Sequence, residues 1–313
     1  MNKSETTLPK SHGGRLQHLP MAFAATLLSL ALAVPVMAQT YTSIDCPGSS
    51  VTDARGINDL GSVVGGCNDA DGNGHGFLLR HGSFQMIDVP GAISTGANGI
   101  NNLGDIVGSY SDTDGVRHFY LLRHGKFTTI DFPGVILINV RGIDDLGRVV
   151  GVYAAEDGGL NHGFLLDRGR FHSVDYPGAA DTRAHGINDL KQIVGSWDES
   201  PEIPNHGFLL KGGVFTQLDY PGAVGGTDAS KINVLGNIVG WWYDDPDPNI
   251  ANAHGFLLTQ QGYESIEPPG ATYSLAEGIN DLGRIVGFYV AEDGSFHGFL
   301  RTPRSHGHDD DDD

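Results

Sequence analysis

The sequence predicts an all-β fold: a six-bladed β-propeller with four antiparallel strands per blade, its ring closed by the N-terminal strand pairing in the last blade. Three observations predict it. One phrase recurs six times, written most fully as Ala184-His185-Gly186-Ile187-Asn188-Asp189-Leu190 with Ile193-Val194-Gly195, then His206-Gly207-Phe208-Leu209-Leu210, then Leu218-Asp219-Tyr220-Pro221-Gly222. The copies begin at Gly56, Gly99, Gly142, Gly186, Lys231 and Gly278, in steps of 43, 43, 44, 45 and 47 residues, the period of a propeller blade or a similar array. The ends are displaced by one strand. Tyr41-Thr42-Ser43-Ile44-Asp45-Cys46-Pro47-Gly48 is the close of a repeat with no beginning, and the last repeat stops after His297-Gly298-Phe299-Leu300 without its close. Pairing the two completes a sixth blade and leaves no free sheet edge.

In chain order, residues 1–38 carry Lys3, Lys10 and Arg15, an apolar run from Met21 to Val36, and the small-residue ending Val36-Met37-Ala38, which predicts a signal peptide. Residues 39–303 are the propeller, and 304–313, a histidine-flanked aspartate run, are expected to be a disordered acidic tail. No other apolar run approaches the roughly 20 residues of a membrane span, so the mature chain is expected to be exported, to the periplasm or beyond, without a membrane span and as a monomer. Removing Lys3, Lys10, Arg15 and Glu5 takes the formal charge from −19 to −21. Such a surface argues against nucleic acid as a partner, since that needs a basic footprint.

Each repeat of about 43 residues has room for four strands, A to D. Strand A ends in GIN, strand B is the Ile/Val-Val-Gly segment, strand C is HGFLL and strand D leads into Asp-x-Pro-Gly. Asn-Asp-Leu-Gly makes the A–B turn, with Lys191 in the glycine's place in the fourth repeat, and Arg80-His81-Gly82 typifies the C–D turn. The B–C and D–A links vary in length and composition and emerge on one face, which is where a site is expected.

Taken together, GINDLGxIVG, HGFL and IDxPGA resemble the repeats of the HAF family of bacterial extracellular proteins, over nearly all of residues 41–301. The resemblance implies export and a propeller-like fold, and brings no established catalytic residues.

Only two cysteines occur, Cys46 and Cys67. Cys46 stands in the column of Val89, Phe132, Tyr176, Tyr220 and Pro268, and Cys67 in that of Tyr110, Tyr153, Trp197, Trp242 and Tyr289. Two bulky columns turn to cysteine at one junction, and an exported chain permits the bond, so a Cys46–Cys67 disulfide is expected.

A histidine opens every strand C (His75, His118, His162, His206, His254, His297) and an acid closes every strand D (Asp45, Asp88, Asp131, Asp175, Asp219, Glu267). Six equivalent copies around a ring cannot converge on one metal ion. They are expected to form a repeated, buried hydrogen-bond network. Asp69, Asp71 and Asn73 match the start of a calcium loop, yet Arg80 stands where its closing acid belongs, so an acidic turn is preferred over a weak Ca2+ site and no other cofactor is indicated.

The position before the GIND glycine is Arg55, Asn98, Arg141, His185, Ser230 and Glu277, six polar residues of different kinds on the innermost strand, preceded by a small column, Ala54 to Ala276. These six, with Lys231 beside them, are the candidate ligand-binding residues. Two arginines in so acidic a chain suggest a small anionic ligand, and His185 with Glu277 would be the natural acid and base if catalysis occurs. The preferred reading is a binding module for a ligand or surface partner. The alternatives are a hydrolase or lyase acting on a uronate-like substrate and a structural envelope or matrix protein.

Overall fold

Turn chemistry sets the strand lengths. At the first C–D turn both central residues, His81 (φ 49°) and Gly82 (φ 75°), are left-handed, the geometry that joins two twisted strands through two residues. Lys191 likewise adopts φ 59° in the fourth A–B turn, as its place in the glycine column requires.

A computed structural model of the protein describes residues 39–132, 134–155, 159–200, 203–247 and 252–303. The expected signal peptide and acidic tail lie outside the described residues. No helix among the described residues is long and apolar enough to cross a membrane. The chain starts with β1 (Thr40–Ile44). Blade 1 holds β2 (Thr52–Ile57), β3 (Val63–Asn68), β4 (Gly74–Arg80) and β5 (Ser83–Ile87), and blade 2 holds β6 (Ser94–Ile100), β7 (Ile106–Ser111), β8 (Arg117–Arg123) and β9 (Lys126–Thr129). Blade 3 follows with β10 (Val135–Ile143), β11 (Val149–Ala155), β12 (Asn161–Asp167) and β13 (Arg170–Val174), and blade 4 with β14 (Asp181–Ile187), β15 (Ile193–Asp198), β16 (His206–Lys211) and β17 (Val214–Leu218). Blade 5 has β18 (Thr227–Ile232), β19 (Ile238–Tyr243), β20 (Ala253–Thr259) and β21 (Gly262–Ile266), and blade 6 has β22 (Ala271–Ile279), β23 (Ile285–Ala291) and β24 (Phe296–Thr302). The protein is thus a six-bladed propeller of four-stranded antiparallel sheets. Strand β1 completes blade 6 in the order β1-β24-β23-β22, pairing Ser43 with Phe299 and Ile44 with Gly298.

The core lies partly within blades and partly between them. The strand-C aromatic of each blade (Phe77, Tyr120, Phe164, Phe208, Phe256, Phe299) is buried. Its ring rests on the strand-B glycine; a Cβ on Gly65 would lie 2.8 Å from Phe77, so no other residue fits. The strand-B valine packs on the following blade: Val64 with Ala97 and Ile106, and Val286 with Ala54 and Phe77 across the closure. The disulfide forms as expected. Cys46, just after β1, joins Cys67 on β3 with a Cα–Cα distance of 6.4 Å, fastening blade 6 to blade 1. The same columns stack elsewhere as Tyr176 on Trp197 and Tyr220 on Trp242, with ring centroids 4.0 and 4.7 Å apart.

The GIND asparagine does more than shape its own turn. Asn58 Nδ2 donates to the carbonyl of Asn101, Asn101 to that of Asp144, Asn188 to Asn233, Asn233 to Asn280 and Asn280 back to Asn58, all at 2.8–3.0 Å. Blade 3 has Asp144 in place of the amide, and there Arg148, bonded to Asp144, reaches the Asp189 carbonyl at 2.9 Å. A ring of hydrogen bonds therefore runs around the mouth on the constant-turn face.

Candidate functional site

Three residues down from that mouth toward the variable loops, every strand A carries a bulge. Pairing slips between Ala54 and Gly56, Ala97 and Gly99, Val140 and Gly142, Ala184 and Gly186, Ala229 and Lys231, and Ala276 and Gly278. The residue inside each slip is the polar one, and a bulge leaves its extra residue unpaired and re-aims its side chain. The glycine that follows is a packing requirement: a Cβ on Gly99 would meet the Arg141 carbonyl at 2.6 Å, and one on Gly186 the Ser230 carbonyl at 2.6 Å. These glycines, with the isoleucines that follow them, form the waist of the ring, and Lys231 stands there in place of the sixth glycine.

The bulged residues meet one another. Arg141 Nη2 lies 3.3 Å from Glu277 Oε2, a contact between blades 3 and 6 on opposite sides of the axis. Arg55 donates to Asp53 at 2.6 Å and to Asn98 Oδ1 at 2.9 Å, while Asn98 Nδ2 donates to the Val140 carbonyl at 2.9 Å. Ser230 donates to the Glu277 carbonyl at 3.1 Å and Lys231 to the His185 carbonyl at 3.3 Å. His185, Asn98, Ser230 and Glu277 are buried; Arg55 and Arg141 keep 33% and 20% of their side chains exposed. The result is a charged plug with two guanidiniums open to the variable-loop side.

Burial dominates the electrostatics. It raises the Glu277 carboxyl against the lowering pull of Arg141. It pushes Lys231 down to about 7, with Arg141 adding to the effect and Glu277 opposing it. It holds His185 well below its ordinary value, again with Arg141 and then Lys231 adding. For Arg55 the Asp53 carboxylate outweighs burial and raises the guanidinium further.

Two expectations need correction. His185 and Glu277 do not bond each other: Glu277 contacts Arg141, whereas His185 Nδ1 is buried with no hydrogen-bond partner and lies 4.0 Å from Asp228 Oδ1. The strand-C histidines do bond the strand-D acids, as in His75–Asp88, His162–Asp175, His206–Asp219 and His297–Asp45 at 2.8–2.9 Å, but the network is not buried. His206 and Asp219 are 31% and 43% exposed. The variable face leaves these strand ends in water, and the histidines turn to loop acids as well: His118 bonds Asp112 and His75 also reaches Asp69. In the Asp69 loop, that carboxylate accepts from the Asp71 and Asn73 amides and from Asn73 Nδ2, a closed acidic turn.

Sequence reasoning missed the position two before the bulge. Asp53, Gly96, Asn139, Arg183, Asp228 and Leu275 are as mixed as the bulge column, and that was the available signal. Arg183, 30% exposed, bridges Asp181 at 2.8 Å and Asp198 at 2.9 Å, and Arg141 lies 5.8 Å above the Trp241 ring.

No family model matches the sequence, and no curated protein does. Among solved structures the chain is similar to TolB from Acinetobacter baumannii, with 12% identity over 77% of this chain and 64% of that chain and a TM-score of 0.52. It is similar to AofleA from Arthrobotrys oligospora, with 12% identity over 86% of this chain and 87% of that chain and a TM-score of 0.50. A fungal lectin from Aleuria aurantia, described as a six-bladed β-propeller with a fucose recognition mode, aligns at 10% identity over 83% and 93% of the two chains with a TM-score of 0.48. At these identities the likeness concerns the fold, and function has to be argued from the site.

Proposed function

We propose that the protein is an exported, monomeric ligand-binding module of the HAF repeat kind, and that it takes a small anionic ligand at the axial cup on its variable-loop face. Arg141 carries this reading. Its guanidinium sits at the axis with five donors in a fork, and one long contact to Glu277 accounts for its ion pairing among the described residues. Arg55 and Arg183 stand beside it, each already held in place by carboxylates and each still partly exposed. Pre-positioned guanidiniums are suited to carboxylate ligands because the fork need not be ordered on binding. Glu277 is tied to Arg141 and His185 is buried, which counts against the hydrolase or lyase alternative.

The test is calorimetry on the full-length protein with citrate, succinate and acetate. Arg141→Ala should weaken binding by about 1.5–3 kcal/mol, the usual worth of a charged hydrogen bond, and, because it also leaves the buried Glu277 without its cation, affinity is measured at a temperature where the variant is fully folded. Equal affinity in parent and variant would remove the axial cup as the site.

A further inference from the structure

A second cavity opens between blades 1 and 2, and the repeat itself shows why it is there. Two columns border the junctions between blades, the strand-A position two before the bulge and its strand-B partner, and within the blades they pair as Asn139 with Val152, Arg183 with Ser196, Asp228 with Trp241, Leu275 with Phe288, Asp53 with Gly66 and Gly96 with Ser109. Gly66 of blade 1 and Gly96 of blade 2 are the two glycines of these columns, and both line one cleft. Neither has a left-handed backbone, so neither glycine is demanded by conformation. What they leave is a cleft of ≈ 240 Å³ on the variable-loop side. That is below the roughly 300–1,000 Å³ of drug-sized sites and suits one sugar ring better than a chain.

The walls of the cleft are polar and underused. A Cβ on Gly96 would lie 3.2 Å from Arg55 Nη1 and one on Gly66 3.7 Å from Nη2, so the outer edge of that guanidinium faces the space the glycines vacate. Arg117, at the start of β8, stands at the cleft with no ion pair among the described residues. Ser94, Ser109 and Ser111 line it with hydroxyls that make no side-chain hydrogen bond among the described residues, and Tyr110, stacked on His118, borders it. Asp53 Oδ2 holds Arg55, while its Oδ1 is buried without a partner, an acceptor that a small turn of the carboxylate brings to the cleft.

We propose that this cleft binds a single sugar acid, a polyhydroxylated ring with one carboxylate. The carboxylate meets Arg117 and the outer edge of Arg55, and the ring hydroxyls meet the serines and Asp53 Oδ1. This deepens the ligand-binding reading above by adding a site with its own specificity, and it shares only Arg55 with the axial cup.

The experiment is calorimetry on the full-length protein with D-glucuronate, glucose and acetate, against four variants. Gly96→Leu and Gly66→Val place in the cleft residues that Leu275 and Val152 already occupy in the same columns of other blades, so the backbone accommodates them. Each should weaken glucuronate at least about tenfold, and Arg117→Ala, at an exposed position, should do the same. Glucose and acetate should each bind at least about tenfold more weakly than glucuronate, since each lacks half of the recognised chemistry. No binding of glucuronate by the parent overturns the proposal. So does acetate binding as tightly as glucuronate in the Arg141→Ala protein, where the axial cup has lost its central guanidinium, or full affinity in Arg117→Ala. Loss of glucuronate in Arg141→Ala with retention in Gly96→Leu places the ligand in the axial cup, which overturns this cleft and upholds the earlier reading.

Discussion

Lys231 stands where the other five blades have glycine, and Lys231→Met removes its charge while keeping its length. Burial, helped by Arg141 and Arg55 and opposed by Glu277, lowers the ammonium from 10.5 to about 7. The folded state then holds this proton less tightly than the unfolded chain does. The charged lysine therefore costs stability below pH 7, and the cost falls as pH rises from about 7 toward the unfolded value. Each pH unit in that window is worth about 1.4 kcal/mol, or about 3 kcal/mol between pH 7 and 9. Water reaching the partly exposed side chain reduces this to about 2 kcal/mol. Guanidinium unfolding of parent and variant at pH 6.5, 7.5, 8.5 and 9.5 reads the difference directly and cancels the titration of other groups. The variant should be the more stable protein at pH 6.5, with its advantage shrinking by about 2 kcal/mol by pH 9. A difference that stays flat across the window would mean that Lys231 titrates normally and is not held in the waist as described.

The disulfide closes a loop with a sequence separation of 21, and Cys67→Ala should lower unfolding free energy by about 3 kcal/mol, with a matching loss of melting temperature when the parent is reduced; no change on reduction would count against it. Arg148→Ala leaves Asp144 buried without its cation and frees a carbonyl of the asparagine ring, so thermal unfolding should show a loss of about 3–5 kcal/mol. Asp144→Asn with Arg148→Gln copies the Asn188–Gln192 pair of blade 4 and should recover most of it. His206→Ala removes a half-exposed ion pair and should cost no more than about 1 kcal/mol, measured by urea unfolding.

The fold was legible because the sequence repeats its turns. Asn-Asp-Leu-Gly and the displaced strand at Tyr41–Ile44 carry strand count, blade count and closure in purely local signals, and the twin cysteines mark the closing junction. Two things were hidden. Period and composition do not report which side chains cross from one blade to the next, so Asn58 read as a turn residue when its amide also bonds the Asn101 carbonyl. The bulge column stood out as polar, but partners across a ring are set by three-dimensional opposition. Glu277 therefore meets Arg141, 136 positions away, instead of the histidine that chemistry alone would pair with it. The depth of the strand-C histidines failed for a related reason, since a repeated polar pair looks the same in sequence at a sheet's wet end as in its interior.

The most direct test of the axial cup is an NMR titration of the arginine Nε–Hε signals of the full-length protein with citrate. The account predicts saturable shifts of Arg141, with Arg55 and Arg183 following on the same binding curve, and no movement of Arg123, Arg148 and Arg284 at the constant-turn face. Shifts confined to that opposite face, or none at saturating citrate, would contradict it.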